Sequence, residues 1–394
     1  VSEEDAQDLV ALLRAVPRFA LRHGVALEHE METFQPAETE WTDAESGIAF
    51  RYRGEAVMSP DAAGGGPGGG AMSAEVRAEF LKTVEEVQRE LAAEGRVEDV
   101  DFETFSGRVD ARMNERVDRL NARPQEDFGG LSAAGMHRLL SGAWVVGEAD
   151  TEDAVAVRLR DDLSDADLVG VPAHEGMGVL LELAAEQGGL GRTQAGNLKV
   201  AVVRGWTARV KGRVEEWSDI EDVAGDRSWE DDVPHLHWLR ILADLAGWLS
   251  PRGSRFALTG DGRRMRAPDR GGERYARLFH TCFRHFNLGY DTLVEWPEGQ
   301  HQAAFTLYRL DETAAEWTIP WTLIEQHTVA PFAVDAVPED RWMDAARVLE
   351  TPLLWPLSRF GIVERQSGGG LAPAAYRVTP RYRRFFGFGV AAGA

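Results

Sequence analysis

Between Val233 and Met265 one segment dictates its local fold more tightly than anything else in the chain. Leu236, Leu239, Leu242 and Leu245 fall three apart, the spacing that gathers apolar side chains on one face of a helix. Gly247 then stands where a left-handed glycine ends a helix. Trp248-Leu249 and Phe256-Ala257-Leu258 flank Ser250-Pro251-Arg252-Gly253-Ser254, a turn-rich tip between two short strands. Thr259, three residues before Gly262, is placed to cap a further helix. A run of helix, hairpin and capped helix predicts a mainly α-helical body with short β-hairpins, an α+β chain without a large sheet.

Two other places follow the same logic. Near Gly176 an apolar helix runs to a glycine stop, Leu190 and then Thr193, with only Gly191 and Arg192 between them and so no room for a hairpin. From Leu353, Gly361-Ile362-Val363 opens a strand, Ser367 to Gly370 is a flexible tip and Tyr376-Arg377-Val378 returns. Thr379-Pro380 is a cap followed by proline at the first helical position, where the missing N–H costs nothing. Pro352 and Pro356 are expected to break the helix before this hairpin. The spacing of the three is too unequal for a regular solenoid.

The helix–hairpin–helix order resembles the end of a winged-helix domain of the MarR or PadR kind. That resemblance implies tandem winged-helix-like modules, in which the helix before the wing enters the DNA major groove and the wing tip touches the backbone. Arg240 would then reach base edges, and Arg252 and Arg255 would hold phosphates. Lys199, Arg263, Arg264, Arg377 and Arg381 complete the candidate nucleic-acid-binding set. A second resemblance lies in Asp127-Phe128-Gly129-Gly130-Leu131-Ser132 running on to Met136, Leu139 and Leu140. It is similar to a D-F-x-G-L-S-x-x-x-M-x-x-L-L motif in a group of uncharacterised bacterial proteins. Some of those end in a cysteine-rich zinc tail, which this chain lacks. The likeness implies a shared architecture and no activity.

Length and patterning divide the 394 residues into several parts. Residues 1–60 read as an N-terminal appendage: a helix over 2–22, and a hairpin from Trp41 to Tyr52. Residues 61–71, containing GGGPGGG, are a linker, since no Lys-Ser or Lys-Thr follows to make a phosphate loop. Residues 72–162 form a helical region with amphipathic stripes Val76 to Leu91 and Phe102 to Leu120. Residues 163–232 form a first module with an acidic segment, 233–335 a second module with a helical extension, and 336–394 a third. In that extension Tyr275, Leu278, Phe279, Cys282, Phe283 and Phe286 make an aromatic stripe suited to an interdomain core or a dimer interface.

The formal charge is −22, from 43 basic and 65 acidic residues, and every basic residue except Lys82, Lys199 and Lys211 is an arginine. So acidic a chain is expected of a salt-adapted organism, where ions screen self-repulsion. Basic charge is nonetheless concentrated on the modules. From Gly188 to Arg213 there is no acid, whereas residues 215–232 are densely acidic. Either those arginines meet phosphates, or they pair with acids of the same chain. The second alternative makes the protein a non-enzymatic binding or scaffold protein with protein partners or self-association. The first makes it a DNA- or RNA-binding regulator.

Enzyme signatures are absent. There is no G-x-S-x-G turn, no Walker loop and no dinucleotide fingerprint. His174-Glu175 lacks a second histidine, and His280, Cys282 and His285 are wrongly spaced for one helix face. No cofactor or metal is expected. A single cysteine and an N-terminal stretch unlike a signal peptide lead to the expectation of a cytoplasmic protein. No apolar run approaches the roughly 20 residues that span a bilayer.

Overall fold

The computed structural model describes residues 39–42, 49–52, 74–94, 102–148, 155–214, 229–290, 296–335, 337, 345–368 and 373–390. They belong to two compact units, Val1–Ala122 and Arg123–Ala394. The fold is mainly α-helical, with short strands in small sheets. The helix expected over 2–22, the glycine linker and most of the acidic segment lie outside the described residues.

In the first unit β1 (Thr39–Thr42) and β2 (Ala49–Tyr52) form the antiparallel hairpin expected there. Helices α1 (Ala74–Ala93) and α2 (Phe102–Asn121) bury Val87, Leu91, Val109 and Met113. Arg108, Arg112 and Arg116, one turn apart on α2, meet Glu94, Glu90 and Glu86 at 3.0, 2.6 and 2.7 Å. Ascending arginines facing descending glutamates set the two helices antiparallel.

The second unit opens with α3 (Ala133–Ser141), whose cap is Ser132: its Oγ accepts from the Gly135 N–H at 3.0 Å. Strand β3 (Ala143–Val146) then runs parallel to β4 (Val155–Leu159), and short α4 (Asp165–Leu168) follows. Next come α5 (Pro172–Glu186), β5 (Leu190–Gly191), α6 (Val200–Val210), α7 (Pro234–Leu245), β6 (Leu249–Arg252) and β7 (Arg255–Leu258). These strands order as β5-β7-β6, with Leu190 opposite Phe256.

After α8 (Gly260–Met265), α9 (Gly271–Arg284) and α10 (Pro297–His301) the same order recurs. It comprises α11 (Ala303–Thr313), a one-residue bridge at Thr318, α12 (Pro320–Glu325), the short α13 (Pro331–Asp335), which has no counterpart in the first set, and then a third helix with a hairpin. That third helix is α14 (Ala345–Leu349), a π-turn (Glu350–Leu354) and α15 (Trp355–Arg359); the hairpin is β8 (Val363–Gln366) and β9 (Ala375–Val378). Thr318 lies opposite Tyr376 as Leu190 lies opposite Phe256. Last come α16 (Pro380–Phe385) and β10 (Phe386–Phe388), antiparallel to β4.

The two modules share hydrogen bonds as well as order. Gly247 and Gly361 both adopt positive φ, 72° and 59°. The next residue's N–H, of Trp248 or Ile362, returns to Ala243 O or Leu357 O. Thr259 and Thr379 each donate Oγ1 to that glycine's carbonyl at 2.7 Å. Thr259 Oγ1 also accepts from Gly262 N–H at 3.0 Å, whereas Thr379 makes no side-chain cap.

Two sequence expectations change. The three echoes resolve into two modules, because the first supplies helices and a strand to the same sheet as the second. Residues read separately as 163–232 and 233–335 thus share one sheet. The helix before the last hairpin is also not broken at Pro352 and Pro356. It continues through a π-turn in which Trp355 N–H reaches Glu350 O, a five-residue step that accommodates the missing donors.

The core joins both modules. Trp238 packs edge-on to Trp355 and Phe360, with ring centroids 5.6 and 5.7 Å apart. Phe279 of α9 meets Phe283, Phe360, Phe385 and Phe386 at 4.4 to 5.2 Å. The aromatic stripe of α9 is therefore core within this unit. Each phenylalanine so buried contributes about 1.5–3 kcal/mol.

Candidate functional site

Helix α7 is the third helix of the first module, and its leucines face inward as read, except Leu245, which is 48% exposed. Its outer face carries Pro234, Asp244 and Leu245, and Trp229, Asp231 and Asp232 stand exposed just before it. This face is acidic and apolar. Arg240, expected at base edges, is turned to an internal partner: its Nε donates to Glu230 Oε1 at 2.8 Å, and its guanidinium lies 5.4 Å over the Phe256 ring. Glu230 is buried and also accepts from His237 Nδ1 at 3.0 Å and from the Leu198 N–H. Burial opposes its ionisation, but hydrogen bonds from His237, Arg240 and Leu198 outweigh this and hold the carboxyl below the usual range. The carboxylate joins the loop after β5 to the start of α7.

The hairpin beside this helix has a different character. Arg252 and Arg255 lie directly opposite one another across β6 and β7. Gly191 faces Arg255 from β5, and the Arg192 N–H donates to Ser254 O at 2.8 Å. Lys199, whose N–H donates to Gly191 O, brings its side chain against Gly191. Four cationic residues, Arg192, Lys199, Arg252 and Arg255, thus gather at one hairpin from two distant runs. Arg255 donates to the carbonyls of Gln187 at 2.5 Å and Gly189 at 3.1 Å, and Arg192 lies 5.5 Å over the Phe256 ring. Lys199 and Arg252 are exposed. Among the described residues no carboxylate forms an ion pair with any of the four.

The remaining candidates are dispersed. Arg263 donates to Leu258 O at 2.9 Å; Arg264 is paired with Asp261 at 2.7 Å and Glu273 at 3.5 Å. Arg377 pairs with Glu364 at 2.7 Å and stacks 4.6 Å over Trp317. Arg381 bridges the carbonyls of Asp167 and Gly361 at 2.8 and 2.5 Å, beside a cleft of about 690 Å³ that Arg384 and Asp167 also line. Of the eight, the fold brings Lys199, Arg252 and Arg255 together and adds Arg192. The sequence reading missed Arg192 because Phe256 and the strand pairing that places it are remote in sequence.

In the second module the third helix has no free face of that kind. Val348, Leu349, Pro352, Leu353, Leu354, Pro356, Leu357 and Ser358 are all buried, and Trp355 stacks on His235 at 5.5 Å. Arg347 and Thr351 are its exposed positions, and Glu350, Trp355 and Arg359 are half-buried. The exposed large apolar residues described in the second module are Trp317, Ile319, Trp321 and Phe332, at 39%, 36%, 45% and 42% exposure.

No group of metal-ligating side chains occurs among the described residues, and none of their helices is long and apolar enough to cross a membrane. His280 and His285 lie with ring centroids 5.3 Å apart, while burial pushes the Cys282 thiol up. The chain matches no protein-family model, no curated protein and no solved structure.

Proposed function

We propose that this is a non-enzymatic binding or scaffold protein built from two winged-helix-like modules fused through their third helices. The helix–strand–helix–helix–hairpin order, with one short helix (Pro331–Asp335) added in the second, and the shared strand order support the winged-helix reading of both. One observation carries the functional reading: the outer face of α7 is acidic and apolar rather than basic. The helix α7 shows an acidic and apolar face with Arg240 turned inward, and its counterpart in the second module is mostly buried, with Arg347 and Thr351 exposed. Such surfaces suit protein contacts, where apolar and aromatic residues dominate the contact core. The second module then acts as a structural half and the first presents the contact face.

The second reading is favoured by the basic hairpin. Four cations without carboxylate partners among the described residues would hold a nucleic-acid backbone while the helix stays out of the groove, giving binding without sequence preference. A titration of duplex DNA and single-stranded RNA with the full chain, across salt, separates the two. Backbone contact by four cations predicts a log–log salt slope of roughly −3 to −4. Affinity with that slope, abolished by Arg252→Glu with Arg255→Glu, would establish the second reading. Absence of binding at low salt leaves the protein-contact reading, which a change of oligomeric state or partner binding on Leu245→Glu tests directly.

A further inference from the structure

Tyr290 stands at the exposed end of a hydrogen-bonded chain that the binding reading does not use. Buried, ionised Glu230 faces His237 Nδ1 at 3.0 Å, so that nitrogen carries the proton. The other ring nitrogen, Nε2, is then the acceptor, and it lies 3.2 Å from the Tyr290 hydroxyl. The two rings stack at 5.9 Å, and Phe286 supports the phenol at 5.8 Å. Tyr290 is 53% exposed, so solutes can reach its oxygen. Among the described residues, Arg240 and Asp231 are the other charged groups about the imidazole: Arg240 shares Glu230 Oε1, and Asp231 Oδ1 lies 3.9 Å from Nδ1.

This is the arrangement of carboxylate, imidazole and hydroxyl that activates a nucleophile: the acid fixes the ring and the ring takes the proton. The other tyrosines with described side chains lack it. Tyr275 donates to Phe360 O at 2.6 Å, Tyr376 donates to Glu350 at 2.6 Å, and Tyr382 donates to Leu307 O, all three buried. Tyr308 is half-buried against Phe388.

We propose that Tyr290 is a covalent acceptor site for the acyl group of an activated, uncharged donor, with His237 as its general base. The tyrosine oxygen forms the new bond to the acyl carbon as the bond to the leaving group breaks. The phenolic proton passes to His237 Nε2 and from there to the leaving group. An uncharged donor suits the place, because exposed Asp231 and Asp232 repel anions. Glu230 acts as a positioning residue.

The test is acetylation of the full-length protein by N-acetylimidazole, with each tyrosine followed by peptide mass spectrometry. General-base assistance is worth on the order of 10²-fold or more. Tyr290 should therefore acetylate at least about tenfold faster than free N-acetyltyrosinamide under the same conditions. His237→Asn keeps an N–H for Glu230 and removes the base, and His237→Gln keeps a polar group near Tyr290 without it. Both should return Tyr290 to the rate of the free amide. A wild-type rate at or below the free amide overturns the proposal even if neither variant folds. So does an unchanged rate in either folded variant.

Discussion

Replacing Arg240 by alanine decides whether that side chain belongs to the surface or to the fold. Its guanidinium is 12% exposed and Glu230 is wholly buried, so the substitution strands a carboxylate away from water. Breaking a buried pair by removing one partner costs about 3–5 kcal/mol. The lower end applies here, since His237 and the Leu198 N–H still serve Glu230. For a body of this size, 3 kcal/mol lowers Tm by roughly 6–12 °C. Thermal melting followed by circular dichroism at pH 7 measures it. The pH dependence has a definite sign. Glu230 is held below the unfolded carboxylate range, so its contribution is present above that range and is lost as pH falls through the folded value. The gap between wild type and Arg240→Ala should therefore narrow toward acid. Adding Glu230→Gln should recover part of the loss, because no stranded charge remains. A loss below about 1 kcal/mol at pH 7, or a gap that does not narrow in acid, would refute the structural role of Arg240.

Three further outcomes are expected. In Gly262→Ala the new Cβ would stand 2.2 Å from Trp248 O and 2.9 Å from Leu258, at the turn Thr259 caps. Overpacking of this kind costs about 1–3 kcal/mol, read as a lower denaturation midpoint. His174 and His235 are both pushed down to about 3, first by burial and then by Arg274 and Arg381 for His174 and Arg359 for His235. Both stay neutral in the fold while the unfolded chain takes up protons, so stability falls as pH drops from about 6.5 toward 3. At pH 5 each contributes a loss of about 2 kcal/mol, and an acid titration of urea midpoints for His235→Phe should show a shallower decline than wild type. Cys282 should resist iodoacetamide until the body unfolds, because its thiol is buried and its ionisation suppressed. Alkylation in native buffer at the rate seen in urea would contradict that.

The local elements were legible because their causes are local. Ser132, Thr259 and Gly247 announce helix ends through their own hydrogen bonds and φ, and the alternation around Ser250 to Ser254 announces a hairpin. The tip is shorter than the composition suggested, because β6 runs through Pro251 to Arg252 and leaves Gly253 and Ser254 as the turn. What sequence could not give was pairing at a distance. The bond register joining Leu190 to Phe256 merges two echoes into one module, and nothing between those residues specifies it. The same gap explains Arg240: its position on α7 suits a groove, yet Glu230 on a preceding 3-10 turn claims it. The buried third helix of the second module was likewise hidden, since its apolar composition fits either a core or a contact surface. Lys199, Arg252 and Arg255, candidate phosphate contacts in the sequence, are exposed, and their convergence with Arg192 comes only from the β5–β7 pairing.

Strand β10 has a consequence for how the body comes into being. Phe386, Gly387 and Phe388 complete a sheet with Leu159, Arg158 and Val157, so the edge of β4 is covered by a strand made some 227 residues after Leu159. At roughly 5–20 residues per second, β4 waits on the order of 10 s or longer on the ribosome before that partner emerges. Once made, Phe279 likewise waits for Phe360, Phe385 and Phe386, leaving an aromatic face and a strand edge open together. Nascent chains stalled before Phe386 should therefore be the species that chaperones hold and proteases cut, and emergence of β10 the event that ends both.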